Sequence, residues 1–236
     1  MDDALIAGAA AIAGAAGAMT YAVRGRSATL LAPSIYHGDR KRPSIALTFD
    51  DGPSESTPLL LELLAKHNAR ATFFMCGTNV RRCPTIAREV VAQGHEIGNH
   101  TDSHPAFYFK PSEFIYREIA LAQETIQRTL RITPKLFRAP YGIRWFGMRR
   151  AQERLQLTGV MWTTIARDWK LPAPEIAARL LKNAKNGAIF CLHDGRAIER
   201  SPDIRETLRA VEQILPALEQ QGFAFETVSQ LCNLAK

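Results

Sequence analysis

From Ser44 onward the chain alternates short apolar runs with longer amphipathic stretches, the pattern of repeated strand–helix units. The first run, Ser44 to Phe49, reads as a buried strand that Gly52-Pro53 stops. Thr57 caps a helix that opens on Pro58 and runs to about His67. A strand over Ala71 to Met75 and a helix over Pro84 to Gln93, closed by Gly94, follow. The short strand His95 to Gly98 delivers His100. Ser112 to Leu130 places Phe114, Ile115, Ile119, Ala122 and Ile126 near the helical period. Beyond it the pattern predicts strands near Leu136, at Gly159 to Thr163, Ala188 to Leu192 and Phe223 to Glu226. Helices are predicted near Met148 to Gln156, from Pro174 to Lys182 and from Pro202 to Gln221. About seven strands with intervening helices make an α/β fold, a distorted or incomplete (β/α) barrel. The competing open doubly wound sheet would carry a glycine-rich phosphate loop, which is missing here.

Upstream the pattern changes. Ala4 to Val23 carries no charge and is dominated by Ala and Gly, long enough to cross a bilayer but weakly apolar. Asp2 and Asp3 precede it and Arg24 and Arg26 follow, the reverse of a secretory signal. The segment is a candidate membrane anchor, set against a packed or disordered Ala-rich helix. Residues 24–43, with Pro33, Gly38 and Arg40-Lys41-Arg42, read as a linker. The division is therefore an N-terminal segment and basic linker over 1–43 and a catalytic domain over 44–236.

A 236-residue chain, 46% hydrophobic, buries one substantial core. Its 30 Lys and Arg exceed 23 Asp and Glu, which favours anionic surfaces or polymers without naming one. No nucleic-acid motif accompanies the charge, and no nucleic-acid partner is expected. The basic residues are dispersed except between Arg131 and Arg154, where seven face the single acid Glu153. The four cysteines form no C-x-x-C pair and match no zinc spacing. Cys191 reads as a small buried hydrophobe, and a Cys76–Cys83 disulfide is left open.

Candidate chemistry gathers where strands end. Asp50 and Asp51 leave the first strand, and His100-Thr101-Asp102-Ser103-His104, Arg138-Ala139-Pro140-Tyr141, Asp168-Trp169 and Leu192-His193-Asp194 follow other apolar runs. In a barrel such exits share one face, so all five converge. His100 and His104, with a carboxylate from another exit, make a two-histidine, one-carboxylate set with open positions, suited to catalytic Zn²⁺ and to other first-row metals. Such a metal lowers the pKa of bound water to about 7 and polarises a carbonyl, as amide or ester hydrolysis requires. One aspartate then binds metal and the other takes a proton, since adjacent side chains on a strand point apart. His193 is a candidate general acid, with Arg138 and Asp168 as charged partners of these groups.

Together these five ordered motifs resemble the polysaccharide deacetylases, carbohydrate esterase family 4, over roughly residues 44–230. The resemblance implies a distorted (β/α) barrel and a divalent metal, usually zinc with Co²⁺, Fe²⁺ or Mn²⁺ as alternatives, held by Asp51, His100 and His104. It further implies Asp50 as base, His193 as acid, Arg138 positioning Asp50 and Asp168 tuning His193. The Tyr141 backbone would stabilise the oxyanion, and Trp169 and Leu192 would line the acetyl pocket. The expected activity is N-deacetylation of N-acetylglucosamine-type units in a polymer or oligomer, peptidoglycan- or chitin-like. O-deacetylation of xylan-like polymers and deformylation or deacetylation of a lipid-linked amino sugar are the alternatives, and a non-catalytic glycan-binding module is a more distant one. A cell-envelope location is expected, although the charges flanking residues 4–23 favour a cytoplasmic domain. His37, His67 and His95 read as structural or surface residues. Trp145, Trp162, Phe107 and Tyr108 divide between sugar stacking and core packing.

Overall fold

A computed structural model describes residues 2–234. The strands are β1 (Ser34–Ile35), β2 (Ser44–Asp50), β3 (Ala71–Met75), β4 (Glu96–Asn99), β5 (Leu136–Phe137), β6 (Thr158–Val160), β7 (Thr164–Ile165), β8 (Ala188–His193) and β9 (Ala224–Phe225). Their ladders are all parallel, in the order β1-β6-β5-β4-β3-β2-β8-β7, with β9 added beside the start of β2. The helices are α1 (Asp2–Arg24), α2 (Thr57–Lys66), α3 (Gly77–Arg82), α4 (Pro84–Ala92), α5 (Ser112–Leu130), α6 (Met148–Leu155), α7 (Ala173–Lys182), α8 (Arg205–Gln220) and α9 (Val228–Leu231). No ladder joins β1 to β7 among the described residues, so the barrel is incomplete, as expected.

The alternation of β2 organises the interior. Ile45, Leu47 and Phe49 face outward into the helix layer, where they meet Phe73, Phe190, Leu61, Leu64, Ile176, Val211 and Ile214. Ala46 faces inward, where Phe74, Leu136, Val160 and Ile189 fill the barrel and Val228 and Leu231 of α9 close its lower end. A reciprocal cap between Thr227 and Gln230 starts α9, and the Val228 amide donates to Thr72 Oγ1 at 2.9 Å, so this plug is fastened to β3. With the lower end filled by apolar groups, the inward polar residues of β2, Thr48 and Asp50, fall near its upper end.

Some elements differ from the sequence pattern. Gly77, Thr78 and Asn79 are weak helix formers, yet α3 forms because the amides of Gly77 and Thr78 donate to the carbonyls of Thr101 and Asp102, both at 3.0 Å. The strand expected at Gly159 to Thr163 divides into β6, paired with β1 and β5, and β7, paired with β8. α8 starts at Arg205 rather than Pro202, where Asp203 accepts the Arg205 amide at 3.0 Å.

The segment read as a linker carries β1. Just before it, Ala22, Val23, Leu31 and Ala32 are buried against Ile115, Ile119, Phe137, Ile143 and Met148. The Arg144 guanidinium, itself buried, donates to the carbonyls of Gly25 and Ala28. Further up α1, Ile12, Met19 and Tyr21 are exposed. No helix among the described residues is long and apolar enough to cross a membrane. All four cysteines are free, including Cys76 and Cys83.

Candidate active site and metal pocket

β2 delivers Asp50 at its inner upper end, and the next residue, Asp51, adopts a left-handed backbone with φ 75°. That reversal gives the two carboxylates different neighbours. Asp50 Oδ1 accepts from Arg138 Nη1 at 2.6 Å, and Cys191 Sγ lies 3.4 Å from Oδ2. Arg138, just beyond β5, is 0% exposed. Its guanidinium also donates to Thr48 Oγ1 at 2.7 Å and to the carbonyls of Met161 and Val160 at 3.2 and 3.3 Å, and it lies 4.1 Å from the centre of the Phe74 ring. Every bond fixes the guanidinium against the barrel interior, so Asp50 has a rigid cationic support.

Asp51 turns to the histidines. Its Oδ2 accepts the Ala197 amide at 2.8 Å, while Oδ1 lies 3.3 Å from His100 Nε2 and 2.9 Å from His104 Nε2. His100 Nδ1 donates to the Arg138 carbonyl at 2.7 Å, which leaves Nε2 of the neutral ring as a lone pair aimed at Asp51. Asp51 Oδ1 is buried and accepts no hydrogen bond. An anionic oxygen and two imidazole nitrogens directed at one another are a donor set that fits a divalent cation, and the Nδ1 bond of His100 is the outer contact that orients such a ligand.

At the end of β8, His193 Nδ1 donates to Asp168 Oδ1 at 2.7 Å, and its backbone amide donates to Asp168 Oδ2 at 2.8 Å. Thr207 of α8 adds a hydroxyl to the same oxygen at 2.8 Å. Burial alone would lower the His193 pKa, but the Asp168 carboxylate, with Asp51 and Asp50 further off, lifts it to about 9. Asp168 shifts the other way: burial raises it, and His193, Arg196 and Thr207 bring it below its ordinary value. His193 is thus a cation at neutral pH, with Nε2–H free to donate.

These groups share one cleft of about 580 Å³, lined by Asp50, Asp51, His100, His104, Tyr141 and His193, with Trp162, Ile165, Trp169 and Cys191 as apolar wall. Tyr141 sits in a short 3₁₀ turn, Pro140–Gly142, with φ 57° and its ring edge-on to His104 at 4.7 Å. Trp169 stands edge-on to His193 at 5.1 Å. Leu192 corrects the expectation: it faces outward from β8 into the helix-side core, and its inward neighbour Cys191 lines the cleft instead. The period of two explains this, because Leu192 pairs in register with outward-facing Phe49.

Nearby groups serve the frame. Asp194 is buried, its Oδ2 accepting from Thr57 Oγ1 at 2.7 Å, and burial pushes its carboxyl up to about 7 with the Thr57 bond acting against it. A Cβ on Gly52 would lie 2.1 Å from that oxygen, so only glycine fits between the metal-pocket loop and Asp194. Asp102 pairs with Arg81 at 2.7 and 2.8 Å. His37, His67 and His95 lie outside the cleft, bonded to Gly38, Glu219 and Ala71. Of the flagged aromatics Trp162 reaches the cleft, whereas Phe107 is core and Trp145 stacks edge-on with Tyr108. The sequence reading overlooked Thr207, the role of Thr48 under Arg138, and the cleft residues Arg24, Arg167 and Arg196. Thr48 opens the first motif; the others carry none.

A family model described as polysaccharide deacetylase matches residues 37–160. A chitooligosaccharide deacetylase of Azorhizobium caulinodans is 36% identical over 196 residues, covering 79% of this chain and 93% of the relative. A peptidoglycan-N-acetylglucosamine deacetylase of Bacillus cereus is 38% identical over 191 residues, covering 79% of this chain and 87% of the relative. Among solved structures, a peptidoglycan N-acetylglucosamine deacetylase superposes with a TM-score of 0.78 at 30% identity, over 85% of this chain and 93% of that one.

Proposed function

The chain belongs to the polysaccharide deacetylase family, and from that premise we propose that it hydrolyses the N-acetyl amide of N-acetylglucosamine-type units in a polysaccharide or oligosaccharide. The observation that carries this reading is the placing of an Arg138-braced carboxylate and an Asp168-braced imidazolium in one cleft with the Asp51–His100–His104 pocket.

Asp51, His100 and His104 would hold a divalent cation; the two-imidazole, one-carboxylate set favours Zn²⁺, with Co²⁺, Fe²⁺ and Mn²⁺ as competitors. When bound, such a cation acidifies water and polarises a carbonyl oxygen. Asp50 accepts the proton of the water that attacks the acetamide carbon, and Arg138 holds its carboxylate in place for that transfer. His193 gives its Nε2 proton to the sugar nitrogen as the C–N bond breaks, so acetic acid and the free amine leave with the water's proton on Asp50 and the imidazole neutral, until exchange with solvent resets both groups. Asp168 fixes the ring by Nδ1, and Thr207 and the His193 amide fix Asp168. The Tyr141 turn and the Trp169 ring line the cleft beside Asp50 and His193, where the acetyl group would sit.

A peptidoglycan- or chitin-like substrate would put the enzyme at the cell envelope. Acetate release from N-acetylglucosamine oligomers or peptidoglycan fragments by cation-loaded protein tests the reading. Release that chelation and Asp50→Asn both abolish is expected. No release from any acetylated amino sugar in a broad panel would overturn it.

A further inference from the structure

The matched family segment begins at residue 37, yet the catalytic cleft is lined by Arg24, which lies ahead of it. Arg24 is held there by several contacts. Its Nε donates to the Tyr108 hydroxyl at 2.6 Å, and the guanidinium carbon lies 5.8 Å from the centre of the same ring. Ala22 and Val23 are buried in the core behind it, the Arg144 amide donates to the Val23 carbonyl at 3.0 Å, and the Arg144 guanidinium holds the carbonyls of Gly25 and Ala28. Arg26 donates to the Thr163 carbonyl, in the short stretch of chain that joins β6 to β7. The N-terminal segment is therefore a wall of the cleft.

Two further guanidinium groups line the cleft. Arg167 is exposed on a left-handed residue, φ 62°, and Arg196 spends two nitrogens on the carbonyls of Gly195 and Asp168. None of the three arginines makes an ion pair among the described residues, and Glu199 is the one acid of the lining besides Asp50 and Asp51, which Arg138 and the metal pocket engage. Arg196 and Trp169 also border a second, polar cleft of about 600 Å³, so a chain of sugars has room on both sides of them. A neutral glycan gains no charge attraction from these groups, whereas a carboxylate or phosphate on a neighbouring sugar can pair with them.

We infer that the basic rim of Arg24, Arg167 and Arg196 selects acetamido-sugar oligomers that carry an oxyanion, with Arg24 of the N-terminal segment as a specificity-determining residue. The inference rests on the deacetylase reading. Its test is the ratio of kcat/KM for an anionic to a neutral substrate, using the zinc-loaded chain of residues 1–236. The neutral probe is an N-acetylglucosamine tetramer; the anionic probes are the same tetramer oxidised to C6 carboxylates and one bearing a terminal phosphate monoester, whose comparison tells which oxyanion is read. At low salt at least one anionic tetramer is preferred, and added salt erodes the preference. Arg24→Gln and Arg167→Gln each lower the ratio about fivefold, mainly through KM, the size of one unit-charge attraction at contact in water. Arg24→Lys retains most of the preference, and Tyr108→Phe, which frees Arg24, lowers it less than Arg24→Gln does. Lys182→Gln, an exposed cation at the far end of α7, leaves the ratio unchanged. Equal rates on neutral and anionic tetramers, or a preference that survives both arginine substitutions, would overturn the inference. Failure on all three tetramers would instead count against the deacetylase reading itself.

Discussion

Replacing Arg138 by methionine isolates the support of Asp50. The ion pair is buried on both sides, with side chains 0% and 4% exposed, so removing the cation strands a charge out of water. Methionine fills much of the volume over the Phe74 ring, but Thr48 Oγ1 and the carbonyls of Val160 and Met161 lose their donor. Breaking a buried pair from one side costs about 3–5 kcal/mol. With a urea m value of roughly 2–3 kcal/mol/M for a chain of this size, the unfolding midpoint falls by about 1–2 M. The double variant Asp50→Asn/Arg138→Met no longer buries an unpaired charge and recovers at least ~1.5 kcal/mol over the single change. Both proteins lose turnover, since the first has a misplaced base and the second has none. Urea unfolding of wild type and of the variants Arg138→Met, Asp50→Asn and the double, followed by circular dichroism, gives the coupling. A loss under about 1 kcal/mol for Arg138→Met, or a double variant no more stable than that single, would show that the pair is not the support described.

Three other outcomes follow from the same geometry. His193 is raised from 6.5 to about 9, so its stabilisation of the metal-free protein, about 3 kcal/mol, is complete below pH 6.5, declines as pH rises and is gone above 9. Asp168→Asn removes the largest cause of that rise and moves both this decline and the alkaline limb of kcat/KM to lower pH; a limb that stays put speaks against His193 as acid. Zn²⁺ at a hundredfold excess over its Kd stabilises the folded protein by about 2.7 kcal/mol, which thermal unfolding reads as a concentration-dependent rise in Tm. His104→Gln abolishes that rise, and a rise that persists would place the cation elsewhere. Gly52→Ala forces a methyl group against Asp194, destabilising by about 1–3 kcal/mol, and near-wild-type stability would refute the close fit.

The chemistry was legible because its carriers end apolar runs. Asp50, His100, Arg138 and His193 each follow a stretch whose burial the composition announces, and a parallel barrel brings such ends together. The motif alone puts Leu192 at the cleft, but the alternation of β8 assigns the cleft to Cys191 and the core to Leu192. α3 was overlooked because its start is stabilised by carbonyls of a distant loop rather than by its own residues. Thr207 and Arg24 were overlooked for a different reason. Each meets its partner only through packing of remote elements, Thr207 on Asp168 and Arg24 on Tyr108, and neither sits in a distinctive local pattern.

The left-handed turn at Asp51 separates two chemically identical neighbours into different trades, and that separation makes them independently removable. Changing the first to asparagine should yield a protein that still loads its ion and grips sugar but releases nothing, a ready capture reagent for the natural glycan. Changing the second instead abolishes ion loading while the first acid stays braced. Inserting one residue between them would shift the second out of its pocket, so the spacing that joins the two acids matters as much as their identity.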